Sequence, residues 1–231
     1  MLSLPAKYRA LVIGASGAIG SAFAGQLRSD PRCETVLELH RDSVPRIDYD
    51  DEGSIAHAAG TLRAAGPLHL VVVSTGVLHG AGFAPEKRLA DLSYASLETV
   101  FRINAFGPAL VMRHFCPLLD RERSVLAVVS AKVGSIEDNR LGGWYAYRAS
   151  KAALNMTLKT AAIELRRANP GAVLVALHPG TVKSALSRPF RGDEIGRDAS
   201  QAAADMLGAL DGVRPEDSGS FVSYDGTRLP W

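Results

Sequence analysis

Short apolar runs alternate along the chain with longer stretches in which apolar positions recur at helical spacing. The short runs are Arg9–Ile13, Thr35–Leu39, a weak Val44–Asp48, Leu70–Ser74, Val125–Ser130, Val173–Leu177 and Gly219–Ser223. They are rich in Val and Leu and read as strands. They lack clean alternation with polar residues, which is the pattern of parallel strands buried on both faces. Between them, helical periodicity runs near Ala18–Ser29, Gly53–Ala65, Asp91–Leu118, Ala146–Ala168 and Ser200–Leu210. Strand and helix in repeated order, joined by right-handed crossovers, build a doubly wound parallel sheet. The expectation is one α/β domain over residues 1–231, Rossmann-like, with about seven strands and helices on both faces. Asn169-Pro170-Gly171 should close the fourth helix, because Pro cannot continue it and Gly tolerates positive φ. Residues 181–198 form the longest stretch without a predicted element. A loop of that length at the carboxyl edge of the sheet reads as a substrate lid or as a surface excursion.

Composition narrows the partner more than the fold. Across 231 residues, 26 basic side chains face 24 acidic ones, a net charge of +2 with no long basic run. Nucleic acid and anionic membrane surfaces are therefore not expected, and a small-molecule ligand is. Cys33 and Cys116 cannot form a disulfide framework, and no His/Cys cluster has metal-ligand spacing. This favours a reducing, cytoplasmic setting and no metal. The apolar run Ala10–Leu27 is interrupted by Gly14, Gly17, Gly20 and Gly25, which reads against an export signal. Ala64–Pro85 carries no Asp, Glu, Lys or Arg, but its glycines and prolines make it strand plus loop rather than a spanning helix.

The candidate chemistry begins at the first strand-to-helix turn, Gly14-Ala15-Ser16-Gly17-Ala18-Ile19-Gly20. Small residues there let the backbone turn sharply and offer free N–H groups to a pyrophosphate at the positive end of a helix. In a dinucleotide fold the residue closing the second strand meets the adenosine ribose. His40 and Arg41 stand there, and a guanidinium can grip a 2′-phosphate where an acid would repel it. The reading favours NADP(H) over NAD(H). Glu38, two residues earlier, is the alternative ribose ligand if the strand register differs. Further along, Tyr147 and Lys151 lie four apart on one face of a predicted helix. An ammonium near a phenol should lower its pKa towards the working pH and make it a usable proton donor or acceptor.

These features, in this order and spacing, resemble the short-chain dehydrogenase/reductase family along nearly the whole chain. Tyr147-Arg148-Ala149-Ser150-Lys151 is similar to its Tyr-x-x-x-Lys signature, and Pro179-Gly180-Thr181-Val182-Lys183-Ser184 to its Pro-Gly segment. Asn104, in Ile103-Asn104-Ala105-Phe106-Gly107, resembles the family asparagine, and Asp48 stands where the family reads the adenine amino group. The runs Val133-Gly134-Ser135-Ile136, Gly142-Gly143-Trp144 and Tyr224-Asp225-Gly226 through Trp231 resemble the C-factor and sniffer-like carbonyl reductase branch.

The resemblance implies hydride transfer between a nicotinamide and a carbonyl or secondary alcohol, with Tyr147 as proton donor or acceptor. It implies that Lys151 also bonds the nicotinamide ribose, that Asn104 holds a relay water, and that Val182 and Ser184 meet the carboxamide. Association as a homodimer or homotetramer is implied as well. There are departures. Ala18 replaces the middle glycine of the family loop, with Gly17 one place early. Ser74-Thr75-Gly76 replaces Asn-Ala-Gly, and Ser130-Ala131 keeps one of two serines. Ser135, 12 before Tyr147, is the first choice for polarising the carbonyl, with Ser130 in reserve. Trp144, Leu141, Leu186 and Phe190 are candidates for an apolar substrate wall or for ordinary packing. An epimerase or dehydratase would need a larger C-terminal part. A dinucleotide-binding regulatory or signalling protein with weak or no turnover is the rival from another class.

Overall fold

A computed structural model describes all 231 residues. Strands β1 (Tyr8–Ile13), β2 (Cys33–Leu39), β3 (Leu70–Val73), β4 (Ser124–Val129), β5 (Ala172–His178) and β6 (Ser220–Ser223) form one sheet in the order β2-β1-β3-β4-β5-β6. Every pairing is parallel. The order reverses between β1 and β3, which makes the carboxyl end of that pair the topological switch point where ligands bind in such sheets. Six strands form where about seven were expected. Val44–Asp48 is a loop: Val44 is fully exposed, Pro45 has no N–H to donate, and only an isolated bridge joins Asp48 to Asp51.

Alternation along the strands divides the core into two layers. Leu11, Ile13, Val71, Val73, Leu126 and Val128 face α2 (Glu52–Arg63), α4 (Gly107–Phe115) and α5 (Tyr145–Ala168) through Ile55, Phe115, Leu154 and Leu158. The intervening Ala10, Val12, Val72, Val125 and Val173 face α1 (Ala18–Ser29) and α7 (Ala199–Gly212) through Phe23, Leu27, Met206 and Leu210. Both faces are thus covered by helices, as an all-parallel sheet requires.

The predicted helix Asp91–Leu118 is broken. α3 (Tyr94–Phe101) and α4 are joined by a π turn over Arg102–Phe106, and the turn carries Asn104. α5 ends at Ala168 as the Asn-Pro-Gly signal predicts, but for a different reason at the glycine. Gly171 has an ordinary φ; an added Cβ would lie 2.4 Å from the Arg121 carbonyl oxygen, so close backbone approach selects Gly there. Residues 181–198 are compact: a 3-10 turn at Arg188–Phe190 and the short helix α6 (Gly192–Ile195) lie between two tied ends. The Arg197 amide donates to the Thr181 carbonyl at 2.9 Å, and the Lys183 amide to the Arg197 carbonyl at 3.0 Å.

Candidate active site

The glycine turn sits at the switch point. Gly14 has φ +86°, and an added Cβ would lie 3.0 Å from both Ser74 Oγ and the Thr75 backbone nitrogen. Gly20 faces Gly14 so closely that a Cβ would fall 2.2 Å from its carbonyl oxygen. The Gly17 amide donates to Gly14, and the first helical bond runs from Ser21 to Gly17, so the Ala18, Ile19 and Gly20 amides have no intrahelical acceptor. Gly14 and Ala15 donate to the Leu39 carbonyl, which sets His40 and Arg41 beside the turn. Glu38, the alternative ribose ligand, is ion-paired to Arg28 of α1. Asp48 lies just before α2, its carbonyl accepting from Ser54 Oγ at 3.0 Å.

A cavity of 340 Å³ opens beside the turn. Tyr147, Lys151 and Ser130 line it, with Ile19, Ser74, Thr75 and Gly76 on one side and Pro179, Gly180, Val182 and Ser184 on another. Larger open clefts of 600 and 610 Å³ elsewhere hold none of the predicted site residues. Tyr147 is 9% exposed and Lys151 3%. Lys151 Nζ donates to the Val129 carbonyl at 3.0 Å and lies 5.9 Å from the Tyr147 ring centre. Burial acts on the two in opposite senses, because each charged form is the one desolvated. The phenol is pushed up to about 12 and the ammonium down to about 8. Desolvation is the cause in both, and no lowering of the phenol by the ammonium accompanies it.

Asn104 is fully buried, and its bonds go to protein. Its Oδ1 accepts from the Val77 amide at 2.8 Å, while Nδ2 donates to the Val77 carbonyl at 2.8 Å and to Ser150 Oγ at 3.1 Å. These bonds fix the loop after β3. Ser74 Oγ donates to the Ile13 carbonyl at 2.9 Å, holding the same loop to β1. A tyrosine the sequence reading passed over supports it from beneath: Tyr49 hydrogen-bonds Thr75 Oγ1 at 2.9 Å and fills the space left by Gly107.

The two serines separate. Ser130 lines the cavity and donates to Asn155 Oδ1 at 2.7 Å. Ser135 lies on the other side of the Lys132–Gly134 turn, outside the cavity, where its hydroxyl accepts from the Asp138 amide at 3.1 Å. Its spacing from Tyr147 suggested proximity; the intervening turn points it away. Leu141 is 93% exposed and takes no part in the cavity wall. Trp144, Leu186 and Phe190 do line it, joined by Leu78, Val133 and Ile195. Trp144 meets Phe190 edge-on, ring centres 4.9 Å apart, and Tyr147 at 6.2 Å. His79 Nε2 lies 3.3 and 3.2 Å from the Ala185 and Leu186 carbonyls, tying the 181–198 segment to the loop after β3. His178 accepts from the Lys132 amide at 3.2 Å, and burial holds its pKa down at about 4, so it is neutral.

A doubly wound sheet, a glycine turn at its switch point and a buried Tyr and Lys one helical turn apart define a class. The chain belongs to the short-chain dehydrogenase/reductase family of oxidoreductases: the family's sequence model described as enoyl-(acyl carrier protein) reductase matches residues 20–224. It is 38% identical over 180 residues to C-signal of Myxococcus xanthus, covering 75% of this chain and 99% of that protein. It is 32% identical over 232 residues to 1-hydroxy-2-glutathionyl-2-methyl-3-butene dehydrogenase of Rhodococcus sp. strain AD45, covering 96% and 98%. In fold it is similar to the carbonyl reductase Sniffer of D. melanogaster, with TM-score 0.85 and 20% identity over 98% of this chain and 100% of that one. The NADPH-bound carbonyl reductase from chicken fatty liver aligns with TM-score 0.84 and 24% identity over 99% and 96%. No helix is long and apolar enough to cross a membrane.

Proposed function

We propose that the chain is an NADP(H)-preferring reductase of a small carbonyl compound, with Tyr147 as the proton donor. The observation that carries this is the shared cavity of Tyr147, Lys151 and Ser130 beside a glycine turn whose leading helical amides are free. The residues fit a dinucleotide. A Cβ at Gly14 or Gly20 would close the turn, Ala18 to Gly20 offer N–H donors at the positive end of α1, and Arg41 beside them suits a 2′-phosphate. Gly14, Ser16, Gly17, Ala18, Ile19 and Gly20 hold the pyrophosphate in this reading, Asp48 the adenine, and Ser74, Thr75 and Gly76 flank the ribose. Lys151 holds the nicotinamide ribose, and Pro179, Gly180, Val182 and Ser184 its carboxamide. When bound, the nicotinamide supplies the hydride to the carbonyl carbon or takes it from the alcohol.

The protein's own share is position and protonation. With its pKa at about 12, Tyr147 carries its proton throughout the neutral range, the form that donates to a developing alkoxide. Ser130 lines the cavity, and turning its hydroxyl from Asn155 Oδ1 towards the substrate would let it hold that oxygen. Trp144, Phe190 and Leu186 form an apolar wall that favours an uncharged substrate, and the 181–198 segment is the lid. The NADPH-bound carbonyl reductase among similar proteins supports the cofactor and the reaction, and the 1-hydroxy-2-glutathionyl-2-methyl-3-butene dehydrogenase supports the oxidoreductase class.

Ala131 beside Ser130, together with the similarity to C-signal, favours the second reading, a dinucleotide-binding signalling protein without efficient turnover. Titration with NADPH and NADH followed by a panel of aldehydes, ketones and quinones separates the two. The enzyme reading expects tighter NADPH binding and NADPH oxidation by at least one carbonyl; tight binding with no oxidation by any of them supports the signalling reading.

A further inference from the structure

We propose that Glu86, a buried carboxylate in the loop after β3, is a positioning residue that sets both the proton donor and the substrate wall; this rests on the reductase reading above. The entry to α5 is unusual. Gly142, Gly143 and Trp144 are three consecutive residues with left-handed φ, +64°, +66° and +53°. Trp144 has a Cβ in that region and is the N-cap, but its side chain makes no cap hydrogen bond to the opening amides. The first helical bond runs from Arg148 to Trp144, so the amides before it need partners from elsewhere.

Glu86 supplies two of these partners. It is 4% exposed, forms no salt bridge, and stands in sequence 60 residues before Ala146. Its Oε2 accepts from the Ala146 amide at 3.1 Å, and its backbone carbonyl accepts from the Trp144 amide at 2.6 Å. Ser96 Oγ, at the start of α3, donates to Oε1 at 3.2 Å and fixes the carboxylate from the other side. A carboxylate at the positive end of a helix is the favourable sign. The residues it grips are the ones that face the reaction: Trp144, which packs edge-on against Phe190, and Ala146, the neighbour of Tyr147. Removing the carboxylate leaves the Ala146 amide without its acceptor, so the neighbouring phenol loses its fixed place in the cavity, while the backbone bond that holds Trp144 remains. No hydrogen bond joins Glu86 to the glycine turn or to Arg41, so dinucleotide affinity should be spared.

The test compares Glu86→Ala with Glu86→Gln in the full-length protein. Gln keeps an oxygen for the Ala146 amide and offers Ser96 Oγ a donor, so it preserves the geometry without the charge. With NADPH and a panel that includes butanone and acetophenone, Glu86→Ala should lower kcat about tenfold on the small and the aryl ketone alike. NADPH Kd should stay within about twofold, and Glu86→Gln should keep kcat within about threefold of the parent. An unchanged kcat in Glu86→Ala, equal losses in both variants, or a parallel weakening of NADPH binding overturns the proposal. If the parent protein reduces no carbonyl, the reductase reading fails, and hydrogen exchange decides this proposal separately. Faster exchange across residues 142–150 in Glu86→Ala but not in Glu86→Gln supports it; equal protection in all three proteins overturns it.

Discussion

Lys151 enters the interior as a cation with a single protein acceptor, the Val129 carbonyl, and burial brings its pKa from 10.5 down to about 8. The unfolded chain keeps that proton between about pH 8 and 10.5 while the folded chain gives it up, so over that window stability rises with pH. Below pH 8 the full penalty applies, on the order of 3 kcal/mol for a shift of this size. Lys151→Met should therefore stabilise the fold at pH 7 by about 1–3 kcal/mol in urea denaturation, a gain that shrinks above pH 8, while abolishing turnover. A less stable variant would show that the buried ammonium contributes more through its contacts than it costs. The serine question belongs to the same scale. Ser130→Ala should lower kcat about 100-fold, the usual loss of one donor to a developing oxyanion, and Ser135→Ala should leave it within about threefold. The opposite ranking in steady-state kinetics would return the role to Ser135.

At the scale of elements, the glycine turn and α1 work as a unit because Gly20 sits against Gly14. Gly20→Ala forces a Cβ to within 2.2 Å of backbone oxygen, which a rigid strand-to-helix turn cannot absorb locally. The expected outcome is a loss of at least about 2 kcal/mol of stability, together with a more than tenfold weakening of NADPH binding by titration. Retained stability and affinity would show the turn to be looser than its packing indicates. Elements of this kind were legible in the chain. The βα turn follows from small residues between an apolar run and a helical period, and α1 and α5 begin and end close to their signals. The break between α3 and α4 was not legible, because apolar spacing continues through Phe101, Ala105 and Leu110 and a π turn leaves no local mark in the period. Val44–Asp48 looked like a strand because its two apolar side chains, Val44 and Ile47, were counted without the neighbour strand they would have needed. Ser135 was misplaced for a related reason: distance along the chain says nothing about which side of the Lys132–Gly134 turn a hydroxyl faces. Tyr49 and Glu86 act only through tertiary neighbours, Gly107 and the start of α5, so no spacing rule could have singled them out.

At the scale of the whole molecule, function follows from where the two-layered sheet directs its loops. The carboxyl ends of β1, β3, β4 and β5 all open on the same side, and the turn after each contributes to one site: the glycines, Ser74 to Gly76, Ser130, and Pro179 to Ser184. α5, packed lengthwise on the same sheet through Leu154 and Leu158, brings Tyr147 and Lys151 to that edge. That convergence was legible from the order of motifs alone, since a parallel doubly wound sheet has one edge to which they can all be brought. Whether the site then turns over depends on the phenol. The direct measurement is a single-turnover experiment in which NADPH-loaded protein is mixed with a carbonyl substrate and cofactor absorbance is followed, for the parent chain and for Tyr147→Phe. The account predicts oxidation by the parent and a rate at least about 1,000-fold lower in Tyr147→Phe at unchanged NADPH affinity. Equal rates in the two proteins would contradict it.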